Sequence, residues 1–457
     1  MKEKLETLFG KWKLIDDENE YDGKLKVDKT SGMFELEIII MSKEHLSDSK
    51  KFSERIKFIT GDLENGKKKT LLNCQHFGPA YQVSNHYDGS SRYTYKYSFH
   101  PQFIIDNLCL IDKNDVLFNE MRFELSNAFI WGGLTNYNPD FKNDCFSISN
   151  EISNITIFKN SNIEVYYDLG MSGFSMDSLK EIVEFRHIPY IKIKSKNKKN
   201  ISWFLDRLRP FIRLIEFATN RKVSILDIET LEISIENGKP YPKFYNIEAN
   251  YIEKEIPENR EKLIKFELLF DLNDLIEYAD IDAWISNYEL IQPVLSLYLI
   301  VKQQNIYLEG YFLNIIQALE IYHCRFVVSD SISVYRKRVE KLSEEYSKKD
   351  GYEAYLLQDN NNRISLRMRI ADLILNAKMI FDNPLDIENN ELPRMIAITR
   401  NYYTHYNIKK ENEALKDEDL LKVSRFLSKL LTYYLLIGIG FDAGFAKKIV
   451  NEKIRRY

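Results

Sequence analysis

Apolar and polar residues alternate with a period of two in short runs over roughly the first 190 residues. The clearest run is Phe34 to Ile38, in which apolar and acidic residues alternate. Because successive side chains of a strand point to opposite faces, this run predicts a half-buried strand. Less regular runs occupy Tyr93 to Phe99, Phe103 to Leu110, Met121 to Ile130 and Glu181 to Lys194. The N-terminal region is therefore predicted to be β-rich and antiparallel.

The middle of the chain mixes both periodicities. The lysine-rich segment Lys194 to Lys199 is predicted as a loop, and residues 195–200 are where the β-rich region could divide into two subdomains. Apolar residues recur at helical spacing over Ile201 to Asn220. Two strands are predicted next, at Val223 to Ile228 and Leu231 to Glu236. Three prolines and little periodicity predict irregular chain over Lys239 to Lys262.

Helical periodicity dominates the C-terminal part. A helix is predicted near Ala283 to Lys302, and from Asn305 onward the pattern is helical almost throughout, with a charged helix or extension near Val334 to Lys349. Four or five antiparallel helices with short links form a bundle. We therefore expect an α+β fold, with a β-rich domain over residues 1–304 and a helical bundle over residues 305–457.

Composition and charge narrow the class of protein. With 44% hydrophobic and 29% charged residues, the 457-residue chain is typical of a globular protein, and its net charge of -4 argues against nonspecific coating of nucleic acid. The four cysteines have no spacing typical of zinc sites or disulfide frameworks, and we predict no metal and no cofactor. The first residues lack an apolar core of signal-peptide length, so we expect a cytoplasmic protein that does not associate with a membrane.

One predicted helix, from Pro393 to about Asn407, carries two distinct faces. Successive residues about 100° apart form an apolar stripe that we expect in the core. This stripe comprises Leu392, Met395, Ile396, Thr399, Tyr403 and Tyr406. The second face carries Arg394, Ile398, Asn401 and His405. Aromatic residues here could stack on unpaired bases, but we predict core packing for Tyr403 and Tyr406.

The chemistry of this helix suits phosphate. No acidic residue occurs from Leu392 to Lys410, whereas Arg394, Arg400, Lys409 and Lys410 do. Histidine can both remove and donate a proton near neutral pH, and arginine presents a charged fork to phosphate oxygens. These roles match metal-independent RNA cleavage. Because one histidine cannot easily be base and acid at once, the pattern favours a symmetric homodimer that supplies two copies.

The segment Arg400-Asn401-Tyr402-Tyr403-Thr404-His405 resembles the RxxxxH signature of the HEPN superfamily. The segment Gln317 to His323 is similar to the opening helix of the ApeA-like HEPN branch. Gly10-Lys11-Trp12, Gly23-Lys24-Leu25 and Trp131-Gly132-Gly133 resemble the ApeA N-terminal domain. The resemblance implies catalytic roles for Arg400 and His405, with Asn401 orienting or contacting phosphate. It also implies an antiphage protein whose HEPN domain is an RNA-cutting toxin in abortive infection.

The leading hypothesis is thus an endoribonuclease, with tRNA as one candidate target, held quiet by its N-terminal region until a phage-derived trigger acts. The rival hypothesis is a catalytically idle HEPN module that recognises nucleotide, RNA or a phage protein. A histidine on a polar helix face is often only solvated, and runs such as Lys67 to Lys69 are usually solvated loops. Glu320 and His323 are spaced as an ordinary helical pair, so we leave them out of the predicted site.

Overall fold

The computed structural model describes most of the chain. The described residues are 5–15, 17–28, 31–42, 52–85, 91–108, 116–134, 137–140, 145–148, 154–177, 182–236, 239–250, 264–327, 337, 364–377, 384–385, 391–406 and 408–453. The chain divides into two compact units. We call Met1–Arg213 with Val223–Leu263 the barrel-and-sheet unit, and Leu214–Lys222 with Ile264–Tyr457 the helical unit.

Six antiparallel strands close into a barrel in the described part of the first unit. They are β1 (Leu5–Leu14), β2 (Glu20–Asp28), β3 (Met33–Ser42), β4 (Arg55–Leu63), β5 (Lys68–Asn85) and β6 (Ser91–His100). Around the barrel the order is β1-β2-β3-β6-β5-β4, and β4 pairs with β1 to complete the circle. Inward-facing residues such as Leu25, Leu36 and Phe99 are fully buried. The strand predicted at Phe34 to Ile38 is confirmed as part of β3.

Trp12 fills the barrel and leaves no room for a side chain opposite it. Gly61 of β4 is its direct cross-strand partner. A Cβ added to Gly61 would come within 2.3 Å of the indole ring. Interiors are packed too densely to absorb such an overlap without moving backbone or ring. Glycine at this position therefore allows the largest aromatic residue to lie inside the barrel.

A seven-stranded antiparallel sheet continues from the barrel through the long strand β5. Its elements are β7 (Phe103–Asp106), β8 (Phe118–Leu125), β11 (Asn154–Lys159), β12 (Ile163–Asp177), β13 (Ile182–Lys199), β14 (Ile225–Glu236) and β15 (Lys239–Ala249). The order is β11-β12-β13-β8-β14-β15-β7, with β7 pairing to β5. A short pair, β9 (Tyr137–Asp140) and β10 (Cys145–Ile148), and the helices α1 (Ala128–Gly132) and α2 (Ile201–Thr219) complete the described elements.

Several predicted boundaries in this unit are wrong. The strand predicted from Met121 to Ile130 ends at Leu125 and is followed by α1, and the two strands predicted after α2 are one strand, β14. The lysine-rich loop is instead the end of β13, where Lys199 pairs with Phe118. Ladder pairing outweighs the weak strand propensity of lysine there. The helix predicted at Ile201 to Asn220 is confirmed as α2.

The segment predicted as irregular chain contains a strand. Residues from Lys239 to Ala249 form β15, which pairs with β14 through both Pro240 and Pro242. Its other neighbour, β7, pairs only with Ile247 to Ala249. Proline lacks an N–H and is tolerated where one edge of a strand is not paired. Both prolines lie in the part of β15 that does not pair with β7. The remaining residues of the predicted segment, 251–262, lie outside the described residues.

The helical unit contains seven described α-helices besides the end of α2. They are α3 (Leu272–Tyr278), α4 (Ile281–Gln303), α5 (Leu308–Phe326), α6 (Leu366–Asn376), α7 (Leu392–His405), α8 (Asp417–Ile439) and α9 (Ala443–Glu452). The long helix α8 packs against α4, α5 and α9. Its residues Leu427, Leu430 and Leu431 are fully buried. The predicted α+β fold is confirmed, and none of the described helices is long and apolar enough to cross a membrane.

Two predictions for the C-terminal part are left untested. Of the charged segment predicted near Val334 to Lys349, only Lys337 is among the described residues. The domain boundary predicted near residue 305 falls between α4 and α5, both of which belong to the helical unit. That boundary stays a prediction for where the HEPN bundle begins.

Candidate functional site

Helix α7 carries the RxxxxH segment. It begins at Leu392, has a proline in its first turn, and buries Leu392, Ile396 and Thr399 as the apolar stripe predicts. It ends at His405 because Tyr406 takes a left-handed conformation, with φ 47° and ψ 42°. The Tyr406 N–H then donates to the Tyr402 carbonyl. The prediction that Tyr406 lies in the core is wrong, since it is 65% exposed.

Buried hydrogen bonds hold α7 to the segment that follows it. The Thr399 hydroxyl donates to the Met395 carbonyl at 2.8 Å and accepts the Leu415 N–H at 2.9 Å. The Tyr403 hydroxyl donates to the Leu415 carbonyl at 3.2 Å. Both backbone groups of Leu415 are therefore satisfied by α7 side chains. These hydrogen bonds fix the C-terminal half of α7 through the side of the helix that faces away from solvent.

A groove of about 790 Å³ lies along α5 and α7. Its lining includes Gln317, Glu320, Cys324 and Arg325 from α5, and Arg400 and Tyr403 from α7. Arg400 contacts Glu320 in the middle of α5. The groove therefore brings the RxxxxH segment of α7 against the face of α5 that carries Glu320.

The guanidinium group of Arg400 is held by two weak contacts. Its Nη2 donates to Glu320 Oε2 at 3.4 Å, and its Nη1 donates to Asn401 Oδ1 at 3.2 Å. The side chains of Arg400 and Glu320 are 34% and 24% exposed. Ion pairs that solvent reaches contribute about 0–1 kcal/mol. An anion that entered the groove could therefore replace the carboxylate at small cost.

The structure brings together two of the three predicted site residues. Arg400 and Asn401 are in contact, both partly exposed, whereas His405 is exposed and is not part of the groove lining. On a regular helix, residues five apart lie about 140° apart around the axis. Arg400 and His405 of one chain therefore point in different directions from α7.

The sequence predicts that neither Glu320 nor His323 belongs to the site, but in the structure the two residues have different surroundings. Glu320 contacts Arg400 in the groove, whereas His323 is 2% exposed and its Nε2 lies 2.9 Å from Asp372 Oδ2. Burial lowers the pKa of His323 below its ordinary value, although Asp372 opposes this shift. His323 is therefore a core residue. The role of Glu320 was missed because its partner lies 80 residues away in sequence.

Three tyrosines cluster at the C-terminal end of α7. The ring centroids of Tyr402 and Tyr403 are 5.0 Å apart, those of Tyr402 and Tyr406 are 5.7 Å apart, and those of Tyr403 and Tyr406 are 6.3 Å apart. All three pairs meet edge to face, an attractive geometry for aromatic rings. We call Tyr402, Tyr403 and Tyr406 the tyrosine cluster. His405 lies within its sequence span.

Metal ligands are not grouped in the described part of the chain. No set of three or more His, Cys, Asp or Glu side chains there is placed to hold a metal ion. The charged groups that line the groove are Glu320, Arg325 and Arg400. Besides the thiol of Cys324, the polar side chains that line the groove offer hydrogen bonding and charge.

Comparison with known proteins gives the family. The chain matches the model of ApeA N-terminal domain 1 over residues 8–284 and that of the Apea-like HEPN domain over residues 313–445. It therefore belongs to the ApeA-like HEPN proteins, as the sequence resemblance predicts. No curated protein and no solved structure matches the chain. HEPN domains are generally ribonuclease domains that dimerise, and this domain pair fits a family of antiphage effectors.

Proposed function

We propose that this protein is a metal-independent endoribonuclease that acts as a homodimer and serves as an antiphage effector in the cytoplasm. The observation that carries the proposal is the position of Arg400. The first residue of the RxxxxH segment lines an open groove in the domain matched by the HEPN family model, and its ion pair with Glu320 is long and partly exposed. The groove thus offers a cation that can exchange its carboxylate partner for a phosphate group.

The proposed reaction breaks one P–O bond and forms another. A neutral His405 takes the proton of a ribose 2′-hydroxyl while the 2′-oxygen attacks the adjacent phosphorus. The bond from phosphorus to the 5′-oxygen breaks, and a second, protonated His405 donates its proton to the leaving oxygen. Arg400 stabilises the charge that develops on the phosphate oxygens, and Asn401 orients the guanidinium group. The products are a 2′,3′-cyclic phosphate end and a 5′-hydroxyl end.

The geometry of one chain supports the need for a second copy. His405 is exposed and is not among the residues that line the groove with Arg400. Two copies that met along α7 around a twofold axis would place both histidines and both arginines at a common cleft. Each copy would then supply one of the two proton-transfer groups.

The test compares RNA integrity and growth in cells that express the wild type, Arg400→Ala or His405→Ala, with and without phage. Arg425→Ala is the matched control, because Arg425 is an exposed arginine of the helical unit that lies on α8, outside both α7 and the groove lining. We expect the wild type and the control to fragment RNA and arrest growth. Each site variant should lower cleavage at least about 100-fold, as the loss of one charge-stabilising or proton-transfer group does.

Mass spectrometry of the fragment ends checks the mechanism separately. Cyclic phosphate and 5′-hydroxyl ends are expected. If all four proteins behaved alike in cells and in purified form, the nuclease proposal would be wrong, and a binding module without catalysis would be the better description.

A further inference from the structure

The tyrosine cluster offers aromatic surface to solvent beside the proposed catalytic residues. Tyr406 is 65% exposed, and Tyr402 and Tyr403 are partly exposed. Tyr403 also lines the groove that Arg400 enters, and His405 lies between Tyr403 and Tyr406 in the chain. The cluster is thus continuous with the groove. A molecule that occupied the groove would contact Tyr403, whose ring touches the other two rings of the cluster.

The backbone at Tyr406 is unusual for a bulky residue. Its φ of 47° lies in the left-handed region, which glycine and asparagine adopt far more readily. Asn407, the next residue in the chain, would suit that position better by this criterion. Such outliers are often found where a side chain has a function. Here the conformation ends the helix and leaves the Tyr406 ring exposed against two other tyrosines.

The chain segment that carries the cluster has cations and no acidic residue, a composition that suits contact with a polyanion. No acidic residue occurs between Leu392 and Lys410, and Lys409 and Lys410 lie three and four residues after Tyr406. The carboxylates of Glu309 and Asp417 act on Tyr403 from other segments. Single-stranded nucleic acids bind to sites in which aromatic rings stack on bases and nearby cations meet the phosphates. A paired base hides both of its faces within the duplex, so such a site selects unpaired nucleotides.

We propose that the tyrosine cluster is a base-binding subsite, with Tyr406 as its main stacking surface, that holds an unpaired nucleotide of the RNA next to the scissile phosphate. This inference rests on the proposed function. It adds a specificity-determining residue outside the RxxxxH signature, and it predicts cleavage where RNA is unpaired.

The binding test uses the full chain with His405→Ala, which removes the proposed proton-transfer group. The probe is a uridine nonamer with 2-aminopurine at its centre, whose fluorescence falls when its base stacks. We expect binding with quenching, and an affinity loss of about 5- to 100-fold when Tyr406→Asn is added. Asparagine accepts the left-handed conformation, so thermal unfolding should show that the variant remains folded. Tyr406→Phe should retain both binding and quenching.

Two controls make the loss specific. Phe266→Asn removes another ring of the helical unit, 82% exposed, and should not change affinity. The same probe annealed to its complement should bind as weakly as the single strand binds to Tyr406→Asn. The proposal is overturned if Tyr406→Asn binds and quenches like its parent, if duplex and single strand bind equally, or if neither protein binds the probe. Size-exclusion chromatography provides one more check. If Tyr406→Asn turns a dimer into monomers but RNA binding is unchanged, Tyr406 contributes to the dimer contact and the proposal is overturned.

Cleavage assays distinguish this inference from the proposed function. If a chain with native His405 cuts no RNA but the His405→Ala chain binds and quenches the probe, the nuclease proposal fails and the subsite stands. If Tyr406→Asn with native His405 cuts RNA at the same rate and sites as the wild type, the subsite fails and the nuclease proposal stands.

Discussion

Two ion networks, one in each unit, differ in how firmly they hold their charges. On the outer face of the barrel, Glu37 is 2% exposed because Lys24, Lys26 and Lys96 cover it, with distances between 2.5 and 2.8 Å. In the groove of the helical unit, the described residues give Arg400 one carboxylate partner, Glu320 at 3.4 Å, and both groups reach solvent.

The ion pairs of Glu37 are structural, whereas the ion pair of Arg400 can exchange its carboxylate for another anion. Burial alone would raise the pKa of Glu37, but the hydrogen bonds from the three lysines outweigh it and lower the pKa to about 2. A carboxylate held in this way stabilises strand pairing across β2, β3 and β6. Arg400 has no comparable set of partners among the described residues. We expect a charged side chain that binds a ligand to have few and weak protein partners. A charged side chain that joins neighbouring strands has several close ones.

The largest effect on stability is expected at Glu37. Glu37→Gln should lower the free energy of unfolding by about 2–3 kcal/mol near neutral pH. Because the pKa of Glu37 is lowered in the folded state from 4.5 to about 2, its contribution is fully present above 4.5 and is lost as the pH falls towards 2. Denaturant unfolding at a series of pH values measures the difference between wild type and variant.

That difference should disappear at the acidic end of the series. Glu35→Gln is the matched control, because Glu35 is on the same strand and is 31% exposed, and its effect should be much smaller. A difference that stayed constant between pH 7 and pH 2 would contradict an ionic origin.

A medium effect is expected beneath the groove. Thr399→Val keeps the size and branching of the side chain but leaves the buried Leu415 N–H without its acceptor. The expected cost is about 1–2 kcal/mol in unfolding free energy. Thr404→Val is the control on the same helix. Thr404 is exposed and donates to the Arg400 carbonyl of its own helix, so we expect a change below about 0.5 kcal/mol. Equal costs for the two variants would mean that Thr399 does not anchor the following segment.

The smallest effect on stability is expected at Glu320. Glu320→Gln removes a partly exposed ion pair and should change the unfolding free energy by less than about 1 kcal/mol. RNA affinity should rise about threefold, because a carboxylate no longer competes with phosphate for Arg400. Fluorescence anisotropy with labelled RNA measures this, and Glu289→Gln, at an exposed position on α4, is the control. A loss of affinity would mean that Glu320 positions Arg400 instead of competing for it.

Local pattern predicted most of the elements but not the contacts between them. The alternation at Phe34 to Ile38 predicts a strand because the period is local, whereas the lysines around Glu37 follow from the register of β2 and β6 with β3. Pro240 and Pro242 argue against a strand unless the position of β7 is known. Register and strand order arise from the whole sheet, and a single sequence does not specify them.

The candidate site shows the same limit. Arg400, Asn401 and His405 stand out because their residue types and spacing fit one chemistry. Helical periodicity extends the apolar stripe to Tyr406, but the helix ends one residue earlier, at His405. The rotation of about 100° per residue, which places Tyr406 in the core, therefore does not apply to it. Where a helix ends depends on one residue's backbone conformation, and a bulky residue in the left-handed region is unexpected.

The helical unit is built from two separate stretches of the chain, and this limits how its bundle can be moved to another protein by gene fusion. Its core includes Leu214–Lys222, a segment that lies far earlier in the chain than the rest of the unit. Within the unit, Phe217 packs against Phe270 and Tyr298, the Ala218 carbonyl accepts the Leu269 N–H, and Asn220 accepts the Tyr298 hydroxyl. A gene fragment that began after this segment would encode a bundle with a hole in its interior. We therefore expect a gene fusion that transfers the bundle to need the end of α2 and the residues up to Lys222 as well.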